Sequence, residues 1–305
     1  TKRNGLPHNT IYSIIRTGDN QIYVGTYNGL CRYIASNGKF EKIPLPVNSS
    51  QSNLFVNSLL EDTGRQCIWI GTEGYLFQYF PSTGQMKQTE AFHNNSIKSL
   101  ALDGNGDLLA GTDNGLYVYH NDVTPLQHII HDSRNSQSLT NNIIWNIFAD
   151  QEHNIWLGTD YGISLSRYNS ALQFIPISQI TGTGDGNQFY SLFRDSKGFY
   201  WFGGTNGLIR FTDPAGDKHN AIWYRMGDKT YPLSHNRIRH IYEDKEQQLW
   251  IATDGSINRY DYATRQFVHY NIVDSTGTYN TNWTYYMFED NAGHLWISTC
   301  LGGIF

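Results

Sequence analysis

The chain of 305 residues is poor in several things. Charged residues make up 16% and the net charge is -5, with no basic stripe to neutralise phosphates, which argues against a nucleic-acid surface. No apolar run approaches the roughly 18 residues of a membrane helix, and no leader segment is visible, so the sequence reads as a soluble, mature or excised segment. Sustained apolar spacing at i, i+3, i+4 and i+7 is missing, so no amphipathic helix is expected. Three cysteines, Cys31, Cys67 and Cys300, are too few and too scattered for a metal site. Cys31 and Cys300 fall in the first and last repeats, which leaves buried free thiols or a ring-closing disulfide open. His128 and His131 have no further ligands nearby, and Asp103-Gly104-Asn105-Gly106-Asp107 fails the calcium-loop pattern at Leu108 and Asn114. No metal or cofactor is expected.

What is abundant is glycine (29), aromatics (14%) and repetition. Seven times an apolar or aromatic pair runs into a small residue and, usually, Thr: Ile22–Thr26, Ile68–Thr72, Leu108–Thr112, Ile155–Thr159, Tyr200–Gly204, Leu249–Thr253 and Leu295–Thr299. The key aromatic or Leu recurs at 23, 69, 109, 156, 201, 250 and 296, a step of 40–49 residues. Short strands at that period predict an all-β, seven-bladed β-propeller of four-stranded antiparallel blades. One domain then spans 1–305, with blades near 6–45, 53–90, 95–130, 141–177, 187–226, 235–271 and 281–305. The chain stops inside the third strand of the last blade, so that blade is expected to be incomplete and the natural protein to continue. The Trp should pack between blades, the small residue two positions later should leave room where blades converge, and Asn-Gly at the turns should supply positive-φ residues.

An Asp closes the inner strand in six blades (Asp62, Asp103, Asp150, Asp195, Asp244, Asp290), with Thr17 in the first. An Asn stands eight residues earlier in six (Asn9, Asn95, Asn142, Asn187, Asn236, Asn282). Residues repeated in nearly every blade read as structural, satisfying local backbone donors. The pattern Asn-x-Ile-x-x-Ile-x-x-Asp, Gly, Leu-Trp-Ile-Gly-Thr, x-x-Gly-Leu-x-x-Tyr, best copied at Asn142 to Tyr168, Asn187 to Phe211 and Asn236 to Tyr260, resembles the two-component regulator propeller repeat. That resemblance implies the periplasmic sensor region of a hybrid histidine kinase of Bacteroidetes, anchored in the inner membrane. It further implies an adjacent propeller, a β-sandwich, pairing into a homodimer, and a polysaccharide fragment as signal.

Function should lie where the repeats differ. The position five before the closing Asp varies most: Tyr12, Asn57, Lys98, Trp145, Tyr190, Arg239 and Tyr285. Beside it run Ser13, Ser58, Ser99, Asn146, Ser191, His240 and Tyr286. Aromatic faces and hydrogen-bonding groups around one opening suit an oligosaccharide. The candidate ligand residues are Tyr12, Trp145, Tyr190, Arg237, Arg239, Trp283, Tyr285, and the turn carboxylates Asp160 and Asp254. The alternative is that these rings only fill the channel. The region itself is expected to be non-catalytic. A glycoside hydrolase or lyase, using a pair among Glu73, Asp113, Asp160 and Asp254, and a protein-binding scaffold are the rival readings.

Overall fold

A computed structural model describes residues 4–46, 54–89, 95–120, 127–168, 174–176, 187–212, 221–273, 282–300 and 302–305. Seven antiparallel sheets follow one another, six with four strands and the last with three, each strand paired to the next in sequence. The inner strands are Ile11–Arg16, Val56–Asp62, Ile97–Leu102, Ile144–Ala149, Phe189–Arg194, Ile238–Glu243 and Thr284–Glu289. The second strands are Ile22–Thr26, Cys67–Thr72, Leu108–Thr112, Ile155–Thr159, Tyr200–Gly204, Leu249–Thr253 and Leu295–Thr299. The ring closes where the first blade's Ile11, Ile14, Val24 and Cys31 pack with Phe288, Trp296 and Ile304 of the seventh. The Gly-rich stretch 182–186 lies outside the described residues.

Second strands are apolar because both faces are covered by neighbouring blades. Trp69, Trp156 and Trp201 are wholly buried. Their amphipathic rings need a partner for the indole N–H, and the closing Asp supplies it. Trp69, Trp156, Trp201, Trp250 and Trp296 donate Nε1–H to Asp62, Asp150, Asp195, Asp244 and Asp290 at 2.7–3.0 Å. The other carboxylate oxygen accepts backbone N–H groups of the following turn, as Asp195 does from Lys197 and Phe199. One side chain thus ties the inner strand, the turn and the core ring. The Thr ending the second strand donates its hydroxyl to a carbonyl across the next turn, for example Thr159 to Gly162 at 2.8 Å.

The small residue is set by blade-to-blade approach. A Cβ on Gly25, Gly71, Gly111, Gly158 or Gly203 would lie 2.4–2.7 Å from Val56, Ile97, Ile144, Phe189 or Ile238 of the next blade. At the Asn-Gly turns only the glycine has positive φ (Gly29, Gly115 and Gly207, +94 to +104°); the Asn does not. A Cβ on Gly115 would sit 2.3 Å from the Ile129 carbonyl on the outer strand, so the glycine is required by contact as well as by φ. None of the three cysteines forms a disulfide, which removes that alternative. Burial pushes the Cys31 thiol up to about 12.

Candidate functional site

Each inner strand carries a register irregularity against its neighbour, and in all seven blades it falls at one position: Tyr12, Asn57, Lys98, Trp145, Tyr190, Arg239 and Tyr285. A β-bulge leaves its extra residue out of the ladder and re-aims its side chain. A variable position of the repeat is therefore the one the backbone turns out of the sheet.

The re-aimed side chains meet around the axis. Lys98 Nζ lies 4.4 Å from the Trp145 ring, and Trp145 meets Tyr190 edge-on at 5.2 Å. Arg239 stands 5.5 Å from Tyr190, 5.1 Å from Tyr285 and 5.6 Å from Trp283, within cation–π range of all three. Tyr285 contacts Tyr12 at 6.0 Å. Asn57 closes the circuit toward blade 3, donating to the Ile97 carbonyl at 3.2 Å.

The turn after the second strand is held against this ring by a repeated backbone bond. Tyr27, Asp113, Asp160, Thr205, Asp254 and Cys300 each donate N–H to the carbonyl of the residue two before the bulge. Their side chains then prop the ring. Asp160 accepts from Trp145 Nε1 at 3.0 Å and from Gln188 Nε2 at 2.6 Å, and Gln188 in turn accepts from the Tyr190 hydroxyl at 2.6 Å. Asp254 takes Arg239 in a bidentate pair at 2.6 and 3.1 Å, with Arg237 at 3.7 Å. Glu73 accepts from Asn57 at 3.0 Å and from the Ser96 hydroxyl. Burial raises Tyr12 and Tyr190 above the usual phenol range and Tyr285 to about 12.

All nine candidate residues thus stand at the bulge, two residues before it, or on the adjoining turn. Trp283 remains 42% exposed, which leaves a ring face free. Five of the seven residues beside the bulge are engaged between blades instead. Ser13, Ser58, Ser99, Ser191 and His240 accept the backbone N–H of Leu59, Leu100, Ile147, Ile241 and Met287 on the next blade at 3.0–3.2 Å. They staple blades together, so their expected part in ligand binding is withdrawn. Gln188 and Phe55 escaped sequence reasoning. Both sit two residues before the bulge, a series (Thr10, Phe55, Ser96, Ile143, Gln188, Arg237, Trp283) as variable as the bulge itself.

A family model described as the two component regulator propeller matches residues 5–28, 138–161, 183–206 and 232–255. Four of the seven repeats therefore match the two component regulator propeller model. Two crystal structures of one extracellular domain from B. thetaiotaomicron, assigned in one case to a one component and in the other to a hybrid two component system, are 92% and 93% identical to it. Each match covers 100% of this chain and 41% of that one, with a TM-score of 0.54. Histidine kinase P4 of Formosa agariphila is 26% identical over 91% of this chain and 21% of its own length. This chain thus spans about two fifths and one fifth of the length of these relatives. Virginiamycin B lyase from Staphylococcus aureus shares the fold alone, at 14% identity and a TM-score of 0.71 over 97% of this chain and 94% of the lyase.

Proposed function

We propose that this regulator propeller is the extracytoplasmic ligand-sensing part of a hybrid two-component histidine kinase, and that it receives an oligosaccharide at the channel mouth. The observation that carries the reading is the bulge. Seven otherwise equivalent blades aim seven side chains of five types at one axis, and those side chains combine ring faces with fixed hydrogen-bonding groups. The 92% identity to an extracellular domain supports the compartment, and the histidine kinase relative supports the output. The rest of such a protein would supply the neighbouring propeller, the β-sandwich, the membrane anchor, the dimer contact and the kinase. Signalling follows only if the glycan binds one arrangement of that assembly better than another.

No catalytic step is assigned to the mouth. Asp160, Asp254 and Glu73 are each engaged by ring donors of their own rim, as a rigid receptor needs. Calorimetry against an oligosaccharide panel tests the reading. Trp145→Ala with Tyr285→Ala should lower affinity at least about tenfold, the loss of roughly 1.4 kcal/mol of stacking. Unchanged affinity in that variant defeats the site, and chain cleavage seen by thin-layer chromatography defeats the sensor reading in favour of an enzyme.

A further inference from the structure

Aromatic and polar groups are not mixed evenly around the mouth. The hydrogen-bonding groups (Asn57, Lys98, Asp160, Gln188, Arg239, Asp254) occupy blades 2 to 6. The rings that continue beyond the mouth occupy blades 7, 1 and 2. From Trp283 the sequence of contacts runs to Tyr285 at 6.1 Å, to Tyr12 at 6.0 Å, to Phe55 at 6.3 Å, to Tyr27 at 4.2 Å and to His8 at 4.8 Å.

This path leaves the axis. Trp283, Tyr285 and Tyr12 belong to the inner strands or their approach, but Tyr27 is on the outlying turn of blade 1 and His8 on the segment before the first strand. Trp283 is exposed, and the other five rings are only half-buried. Filling the channel therefore does not account for Phe55, Tyr27 and His8. The corresponding turn residues of the other blades are Glu73, Asp113, Asp160, Thr205, Asp254 and Cys300, none of them aromatic. Among the residues two before the bulge, only Phe55 and Trp283 are aromatic. The concentration belongs to this seam and is no property of the repeat.

We infer that the rings of Tyr12, Phe55, Tyr27 and His8 form an accessory track that carries the body of a linear oligosaccharide from the mouth outward across the seam of blades 1 and 2. Apolar C–H faces of successive sugars would lie on successive rings, while the polar arc fixes the hydroxyls of the terminal unit. The ligand class is then an extended chain rather than a single sugar or a disaccharide. The inference rests on the carbohydrate reading of the mouth and adds a second subsite to it.

Size-fractionated polysaccharide hydrolysates, from disaccharide to hexasaccharide, titrated calorimetrically into the whole chain provide the test. Affinity of the unmodified protein should climb with chain length. Phe55→Leu with Tyr27→Ser should flatten that climb, weakening the hexasaccharide about tenfold while leaving the disaccharide within about twofold. Phe55→Leu keeps a comparable apolar volume, and thermal unfolding confirms that the variant folds. Trp145→Ala, on the opposite side of the mouth, should weaken all lengths alike. If the track variant loses nothing, or loses equally at every length while Trp145→Ala still weakens binding, the track is refuted and the mouth stands. If the unmodified protein binds no fraction of any length, both fall.

Discussion

His240 should make the stability of this protein fall on mild acidification, through one inter-blade bond. Its Nδ1 accepts the Met287 backbone N–H at 3.2 Å, and its ring stacks on Tyr286 at 3.9 Å. The hydrogen bond requires the neutral imidazole as acceptor, and burial lowers its pKa from 6.5 to about 3. Because the folded pKa lies below the unfolded one, the unfolded chain binds more protons between those two values. The stability is complete above about pH 6.5 and drains away as pH falls toward the folded value. Each pH unit inside that window is worth up to about 1.4 kcal/mol, so from pH 6.5 to 4.5 the loss is about 2 kcal/mol, an order-of-magnitude figure. Aspartates held low in the folded state, such as Asp62 and Asp290, act below about pH 4, the unfolded Asp range, and leave this window to the histidine. His240→Asn supplies a non-titrating acceptor. Urea unfolding at a series of pH values should show the wild-type free energy sloping down below pH 6.5 and the variant nearly flat. Parallel curves through that window would refute the assignment.

Two further perturbations probe the frame. Gly203→Ala places a Cβ 2.4 Å from the Ile238 Cγ2 and 2.8 Å from its Cβ, and should destabilise by about 1–3 kcal/mol in thermal or urea unfolding, an unchanged midpoint speaking against tight blade contact there. Asp62→Asn breaks a buried carboxylate that accepts Trp69 Nε1 at 3.0 Å and Arg65 Nη1 at 2.8 Å, and should cost about 3 kcal/mol at pH 7. Burial alone would raise that carboxyl, but the Trp69 and Arg65 donors outweigh it and hold it below its ordinary value. Its contribution is present above about pH 4 and vanishes as pH drops through the folded value, so wild type and variant should converge in strong acid.

The blade count and the strand order were legible because the repeat is dense: Trp, small residue, Thr and Asp recur at fixed offsets, and each has a local job that fixes it. The bulge was only half legible. Variability marked Tyr12 to Tyr285 as a series, but a one-residue slip in strand register leaves no composition signal, so the next residue looked equally eligible. The geometry separates the two: Tyr190 turns to the axis, while Ser191 bonds the Ile241 N–H of the following blade. Gln188 was invisible because its role depends on Asp160, contributed by the preceding blade. The Asn-Gly turns misled for a related reason. The contact that demands glycine at Gly115 comes from the outer strand, which the dipeptide itself does not reveal.

Since the bulge is a backbone feature shared by all seven blades, the orientation of each mouth residue does not depend on that residue's identity. Blade-to-blade adhesion rests on neighbouring atoms, the serine and histidine acceptors, which face elsewhere. Recognition and cohesion are thereby assigned to adjacent but separate positions. A library randomised at the seven bulged sites alone should stay folded while its preferences drift, so that one framework can be retuned to new signals without rebuilding its walls.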